Sequence, residues 1–359
     1  MGRDKRFLPL DGESLLVRTL RKGRAAGFCS IVLAAEGVRG DLTALAEEFG
    51  AALVTDDIPA QGPAAALAAG LAAAETEWSL VLSGDMPFYD FALVRALLPE
   101  AKGETQVVLP TLLGKPQPLA ALYRRDAGAA FATAIMRGDR KLGMILKELA
   151  VRELPLTVDA GLFFNVNTPA AYRLAQGRLA NEQRTRPILS IAAPTSGTGK
   201  TTFIERLIPL LAERGVRTAV VKSDSHGFDL DTEGKDTARF AAAGAEAVAV
   251  VSPGGYFIQQ KTNQRQDFQN LIANIDNHSI DLYITESRSR GVLPTLMLDR
   301  GMGEPEIDGR VVAYFAKGRT VDTDLQTCDL DDRETAVRLA LFLMGRPLYG
   351  ADGAMFLTM

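Results

Sequence analysis

Two stretches of this chain carry residues suited to gripping phosphate. The first is Ala193-Pro194-Thr195-Ser196-Gly197-Thr198-Gly199-Lys200-Thr201-Thr202, lying between an apolar run and a helical one. Small residues let backbone N–H groups approach phosphate oxygens. The positive end of the following helix adds to the attraction. Gly197, Thr198, Gly199, Lys200, Thr201 and Thr202 are therefore candidate nucleotide-binding residues. Lys200 has the reach for the β- and γ-phosphates, and the Thr201 hydroxyl is placed to hold Mg²⁺. One position departs from the usual phosphate-loop pattern: Pro194 stands where the first glycine would be. Glu286 closes the run Asp281–Thr285, and a carboxylate at the C-terminal end of a strand lies on the rim where such sheets bind ligands. It is a candidate metal ligand, with an exposed strand-end carboxylate as the plainer alternative. Asp224 and His226 follow the run Thr218–Lys222, placed either to approach a γ-phosphate or to sit in solvent.

The second stretch is Ser83-Gly84-Asp85-Met86-Pro87, again after an apolar run. A carboxylate there can bind the divalent cation that neutralises a triphosphate. The competing reading of Asp85 is a helix N-cap.

The surrounding sequence must supply strands that end at these residues. Apolar runs at Ile31–Ala34, Ala52–Thr55, Ser79–Ser83 and Gln106–Pro110 predict strands. Pro63–Ala74, with Pro63 in its opening turn, and Phe91–Leu98 predict helices. This alternation predicts a doubly wound α/β domain with a mostly parallel sheet. The polar run Gly177–Arg186 reads as the tail of a helix and then a linker. The pattern then restarts with strand Ile188–Ala192, helix Thr201–Arg214 and strands Thr218–Lys222, Ala247–Val251 and Leu282–Thr285. The expected architecture is thus two α/β domains, 1–178 and 188–359, joined by a linker at 179–187. The tail after Pro347 has little pattern.

Composition narrows the chemistry. The chain has 359 residues, 47% hydrophobic and 23% charged, with a net charge of −4 and no long basic block. Nucleic-acid or membrane binding through general electrostatics is not expected. No apolar run is long enough to cross a bilayer, and the N-terminus lacks the apolar core of a signal peptide. Cys29 and Cys328 are the only cysteines, and His226 and His278 the only histidines. A disulfide framework or a multi-histidine metal centre is therefore not expected, and a reducing cytoplasm fits.

The second half resembles the molybdopterin-guanine dinucleotide adaptor family over roughly 187–343. The resemblance rests on Ser196-Gly197-Thr198-Gly199-Lys200-Thr201-Thr202, on Val221-Lys222 followed by Ser225-His226-Gly227-Phe228-Asp229, on Gly234-Lys235-Asp236-Thr237 and on Ala243-Gly244-Ala245. It implies a P-loop NTPase-like domain that binds GTP and associates with a guanylyltransferase. Glu286-Ser287 departs from that family's Glu-Gly. The first half, to about Gln176, resembles the molybdenum cofactor guanylyltransferase family. Here the carriers are Ser83-Gly84-Asp85-Met86-Pro87, Gly62-Pro63, Lys115-Pro116-Gln117-Pro118-Leu119 and Phe163-Phe164-Asn165-Val166-Asn167-Thr168-Pro169. That resemblance implies a nucleotidyltransferase Rossmann-like fold and Mg²⁺-dependent transfer of GMP from GTP to molybdopterin carrying molybdenum. By the same resemblance Asp85 matches the metal ligand, Lys5 a phosphate-contacting lysine, Asp56 an aspartate of the GTP site, and Gln117, Asn165 and Asn167 the side facing the pterin. Molybdoenzymes and their chaperones are the implied partners. An asparagine expected near Leu33-Ala34-Ala35-Glu36 is missing, as is the Leu-Ala-Gly usual after Gly62-Pro63, where Ala64-Ala65-Ala66 stands.

The family's signature runs Leu-Ala-Gly-Gly, three variable residues, Arg-Met-Gly, one residue and Asp-Lys, and Met1-Gly2-Arg3-Asp4-Lys5 falls inside it, so the first strand and its glycine-rich loop are expected to be missing. Two readings of that remain: an internal Met taken as the start, or a truncated, impaired transferase. The expected function is accordingly a guanylyltransferase fused to a GTP-binding adaptor. The alternatives are a non-catalytic docking protein, a transferase for another nucleotide, and a P-loop small-molecule kinase.

Overall fold

The computed structural model describes residues 5–36, 40–56, 62–222, 240, 243–245, 247–260, 271–272, 279–286, 293–318 and 323–346. Asp224, His226, the Gly234–Thr237 motif and Ser287 lie outside them, and so do the side chains of Lys5 and Asp56. The chain divides into two compact units. One comprises 1–183, 321–326 and 334–359, and the other 184–320 and 327–333.

The first unit opens with a short hairpin, β1 (Pro9–Leu10) and β2 (Glu13–Ser14), then α1 (Leu15–Ala25). Ser14 caps α1 by accepting from the Val17 N–H at 3.2 Å. Next come β3 (Val32–Glu36), α2 (Gly40–Glu48), β4 (Ala52–Asp56), α3 (Pro63–Ala73) and β5 (Trp78–Leu82). They are followed by α4 (Val94–Leu97), β6 (Val107–Leu112), β7 (Lys115–Pro116), β8 (Ala120–Arg124), α5 (Ala127–Met136), α6 (Leu142–Ile145), β9 (Val151–Leu156) and α7 (Pro169–Glu182). β3 and β4 pair in parallel as a two-stranded sheet, while β5, β8, β6, β7 and β9 form a five-stranded one.

The expected mostly parallel sheet is not what this five-stranded sheet shows. β8 runs antiparallel between β5 and β6. The cause is local. Leu113 and Gly114 take left-handed φ values of 51° and 72°, which reverses the chain into β7. A short connection of that kind yields antiparallel neighbours, whereas a parallel one needs a long crossover. The predicted helix Phe91–Leu98 is also shorter, its α-helical part being α4 alone. The apolar core lies between α3, α5 and the sheet: Leu67, Leu71, Val107, Leu109, Tyr123 and Phe131 are all buried.

The second unit is the expected doubly wound sheet. It contains β10 (Ile188–Ala192), α8 (Lys200–Ala212), β11 (Thr218–Lys222), the antiparallel hairpin β12 (Ala247–Ser252) and β13 (Gly255–Gln260), β14 (Leu282–Glu286), β15 (Thr295–Asp299), β16 (Val311–Ala316) and β17 (Gln326–Asp329). The six-stranded order is β11-β14-β10-β15-β16-β17, and the pairings from β11 to β16 are parallel. β10 and β15 are buried at every position because both faces of a central parallel strand are covered.

Helix α9 (Arg333–Leu343) follows β17. From Glu334 onward it belongs to the first unit, so the grouping differs from the expected 188–359 boundary. The expected linker differs too: α7 stays helical to Glu182. The reason is packing, since Asn181 donates from Nδ2 to the carbonyl of Leu343 at the end of α9, at 3.1 Å, and both residues are buried. Among the described residues no helix is long and apolar enough to cross a membrane.

Candidate functional site

In the first unit three loops meet around Asp85. The side chain of Asp85 is only 5% exposed, just past the end of β5. Its Oδ1 accepts from Ser83 Oγ at 2.5 Å. Its backbone carbonyl accepts from the Val166 N–H at 2.9 Å, which ties in the loop carrying Asn165 and Asn167. The Ser83 N–H donates to the Leu119 carbonyl at 2.9 Å, which brings in the turn that contains Gln117. Asp85, Gln117, Asn165 and Asn167 therefore occupy one rim of the sheet. Gln117 Nε2 donates to the Lys115 carbonyl at 3.2 Å, and Asn165 Nδ2 to the Phe163 carbonyl at 3.2 Å. Lys5 lies in a short helical turn and Asp56 ends β4. A surface depression of this unit, lined by Ala68, Glu77, Arg124 and Gly128, opens beside the start of β5, at the end opposite Asp85.

The segment after Asp85 is tethered by a residue that sequence reading passed over. Lys22 on α1 donates from Nζ to the Tyr89 carbonyl at 2.6 Å and to the Pro87 carbonyl at 3.3 Å. Burial pushes its pKa down to about 8; Arg18 and Arg178 add repulsion, while Glu182 and Asp90 pull the other way. The sign of the pH effect follows. An unfolded lysine holds its proton to about pH 10.4. Between pH 8 and that value the unfolded chain carries the extra proton, so this group's contribution to stability rises with pH. Denaturant midpoints of the parent and a Lys22→Met variant, measured at pH 7.5 and pH 9.5, should show the parent's advantage growing at the higher pH. A flat or shrinking difference would contradict the assignment.

A buried cluster backs the same two loops. The Phe88 and Phe164 rings both meet Phe342 of α9, with centroids 5.9 Å and 4.5 Å apart. The Arg178 guanidinium lies 4.3 Å from the Phe88 ring centre and 5.1 Å from that of Phe342. Arg178 also pairs with Asp159 at 3.5 Å and Glu182 at 3.2 Å.

In the second unit the glycine-rich loop connects β10 to α8. Gly199 is the N-cap residue, held at φ 94° and ψ 24°, a left-handed conformation that a side chain would strain. Lys200 begins α8, and its Nζ donates to the Thr195 carbonyl at 3.3 Å. Thr198 is buried and donates to the same carbonyl at 3.0 Å. Thr201 and Thr202 are exposed at the head of the helix. The Thr201 hydroxyl reaches both Glu286 carboxylate oxygens, at 3.2 and 3.1 Å. Strand register explains this meeting, because Glu286 pairs with Ile191 of β10.

The substitution of Pro194 for glycine has a counterpart in space. A Cβ added to Gly303, at φ 79°, would meet the Thr195 methyl at 2.9 Å and Pro194 Cβ at 3.4 Å. Gly303 thus leaves the room that the loop's entry needs. Arg300 is a second residue found only in the fold: its guanidinium sits 3.2 Å from where a Cβ on Gly199 would be. No sequence signal links residues a hundred positions apart.

Among known proteins, the family model described as "MobA-like NTP transferase domain" matches residues 1–153. The one described as "Molybdopterin guanine dinucleotide synthesis protein B" matches residues 188–310. A molybdopterin-guanine dinucleotide biosynthesis adapter protein of Escherichia coli is 34% identical over 155 residues, covering 41% of this chain and 87% of that protein. A probable molybdenum cofactor guanylyltransferase of Synechococcus elongatus is 32% identical over 184 residues, covering 49% of this chain and 91% of that protein. The chain belongs to both families, one in each half. The guanylyltransferase half is a nucleotidyltransferase, and the adapter half carries the nucleotide-binding P-loop. A crystal structure of molybdopterin-guanine dinucleotide biosynthesis protein A from Archaeoglobus fulgidus is 24% identical, with a TM-score of 0.44, covering 50% of this chain and 92% of that one.

Proposed function

We propose that the guanylyltransferase half transfers GMP from GTP to molybdopterin carrying molybdenum, and that the adapter half binds a second GTP. The observation that carries this reading is the meeting of the Asp85, Gln117 and Asn165–Asn167 loops on one sheet rim. An oxygen of the pterin's terminal phosphate attacks the α-phosphorus of GTP. The bond from that phosphorus to the β-bridging oxygen breaks, and pyrophosphate leaves. Such a reaction asks the protein for alignment and charge compensation rather than for a covalent nucleophile. Gln117, Asn165 and Asn167 supply neutral donors and acceptors for the pterin side, and the Lys5 and Asp56 side chains belong to the GTP side.

The donor sets suit a hard divalent cation such as Mg²⁺, which is held by one or two oxygen ligands from protein together with substrate phosphates. Asp85 offers a buried carboxylate in the first half. Thr201 and Glu286 offer a hydroxyl and a carboxylate in contact in the second. When bound, the cation offsets phosphate charge. Partners under this reading are GTP, the molybdenum-loaded pterin, and molybdoenzymes with their chaperones.

The test is an assay of the whole chain with Mg²⁺, GTP and molybdenum-loaded molybdopterin. Guanine dinucleotide and pyrophosphate should form in equal amounts, and CTP should not displace GTP. A docking protein without catalysis is the second reading. It is favoured by one observation: among the described residues β3–β4 is not hydrogen-bonded to the five-stranded sheet. Under it, GTP binds and no dinucleotide forms. Calorimetric titration adds a prediction for the adapter half. Lys200→Ala should lower GTP stoichiometry from roughly two to roughly one per chain, because Lys200 is the one cation within the loop 193–202 itself and reaches the β- and γ-phosphates. An unchanged stoichiometry would refute the second site.

A further inference from the structure

We propose that Arg300 is a phosphate-binding residue of the adapter half, a second cation that closes on the nucleotide's phosphates opposite Lys200. The inference rests on reading residues 193–202 as a nucleotide phosphate loop. Its own support is the placement of Arg300. β15 lies beside β10, so the residue after its last position, Asp299, emerges on the same rim as the loop. Three Arg300 side-chain atoms, Nη2, Cζ and Nε, lie 3.2, 3.5 and 3.5 Å from the Cβ position of Gly199. The guanidinium thus packs against the loop at Gly199, where the glycine leaves space.

The backbone that holds Arg300 is fixed. Asp299 is fully buried and accepts from the Gly301 N–H at 2.7 Å and from the Tyr314 hydroxyl. Thr195 Oγ1 donates to the Met302 carbonyl at 3.4 Å, which fastens the 299–303 turn to the loop itself.

The charge around Arg300 is unbalanced. Among the described residues Arg300 has no hydrogen-bond or ion-pair partner, and its side chain is exposed. Arg333 has its pKa held down by burial, and Arg206 and Arg300 add repulsion while Asp331 and Asp329 offset part of it. A cation kept against the phosphate loop, with the Arg333 charge nearby, is left uncompensated until an anion arrives. An arginine fork suits the paired oxygens of a phosphate. A ligand with two or three phosphates is the class that spans both Lys200 and Arg300.

The experiment is a calorimetric GTP titration of the whole chain, with the site lost in Lys200→Ala taken as the P-loop site. Arg300→Ala should weaken that site by about tenfold or more, the usual scale for a charged hydrogen bond. Arg300→Lys, which keeps the charge, should weaken it less, and the Arg300→Ala deficit should shrink as salt is raised, since screening removes a charge effect but not a change of loop shape. Because Arg300 is exposed, both variants should melt with the parent. GTP affinity within twofold of the parent in Arg300→Ala, beside lost binding in Lys200→Ala, would overturn the proposal. A loss as large in Arg300→Lys as in Arg300→Ala that salt leaves unchanged would also overturn it. Undiminished GTP binding in Lys200→Ala would instead overturn the phosphate-loop reading on which the inference stands.

Discussion

Replacing Asp85 with alanine should reduce dinucleotide formation by about a thousandfold, roughly 4 kcal/mol of lost transition-state stabilisation. The carboxylate is 5% exposed, at the point where three loops are joined by backbone hydrogen bonds. Those bonds involve the Asp85 carbonyl and the Ser83 N–H, which the substitution leaves in place. The fold should therefore survive, and the loss should fall on turnover. Ser83 Oγ loses its acceptor at 2.5 Å, a cost of about 1 kcal/mol. Asp85→Asn keeps an acceptor for Ser83 but removes the negative charge, so it should be nearly as inactive while recovering stability. Initial rates and denaturant midpoints for both variants separate the two effects. Near-parental rates in Asp85→Asn would show that the site needs a hydrogen-bond acceptor there and no metal-binding charge. GTP binding at the P-loop should be unchanged in either variant, because that site is built in the other unit from Gly199, Lys200 and Thr201.

The second large effect is expected at Phe342. Its side chain is 1% exposed and fills the space between the Phe88 and Phe164 rings and the Arg178 guanidinium. Phe342→Ala should destabilise the first unit by about 3–5 kcal/mol, through lost transfer energy together with the cavity left behind. Phe342→Leu should recover much of that. Trp78 in β5 is the only tryptophan, so its fluorescence during urea unfolding reports on this unit alone. Turnover should fall as well in conditions where the variant is fully folded. Phe88 follows Asp85 by three residues and Phe164 precedes Asn165, so a cavity behind them loosens the rim. A change below 1 kcal/mol in the Trp78 transition would mean that α9 is not a structural member of the guanylyltransferase half.

The phosphate loop, Asp85 and the α/β alternation were legible in the sequence because each depends on neighbours within a dozen residues. Strand Ile188–Ala192 falls where its apolar run lies, and Pro63 opens α3 as its fixed φ dictates. Glycines 197 and 199 stand at φ values of 77° and 94°, the left-handed region that glycine alone enters without cost. The family resemblance lay in the same local motifs, which is why it could be read before any strand was placed.

What the sequence left open were the choices made between distant segments. Whether β8 enters its sheet parallel or antiparallel turns on one reversal at Leu113-Gly114, whose consequence appears only when β5 and β6 accept the strand between them. Nothing near Phe342 in sequence tells that α9 returns to the first unit; its apolar residues would bury equally well against other surfaces, and the packing of Phe88, Phe164 and Arg178 selects this one. Arg300 and Gly303 stand against the phosphate loop only because β15 takes the place beside β10. Local pattern determines which residues form strands and helices and where ligand-facing loops begin. Side-chain packing and the lateral order of strands, which bring together residues far apart in the chain, decide which other residues those loops will meet.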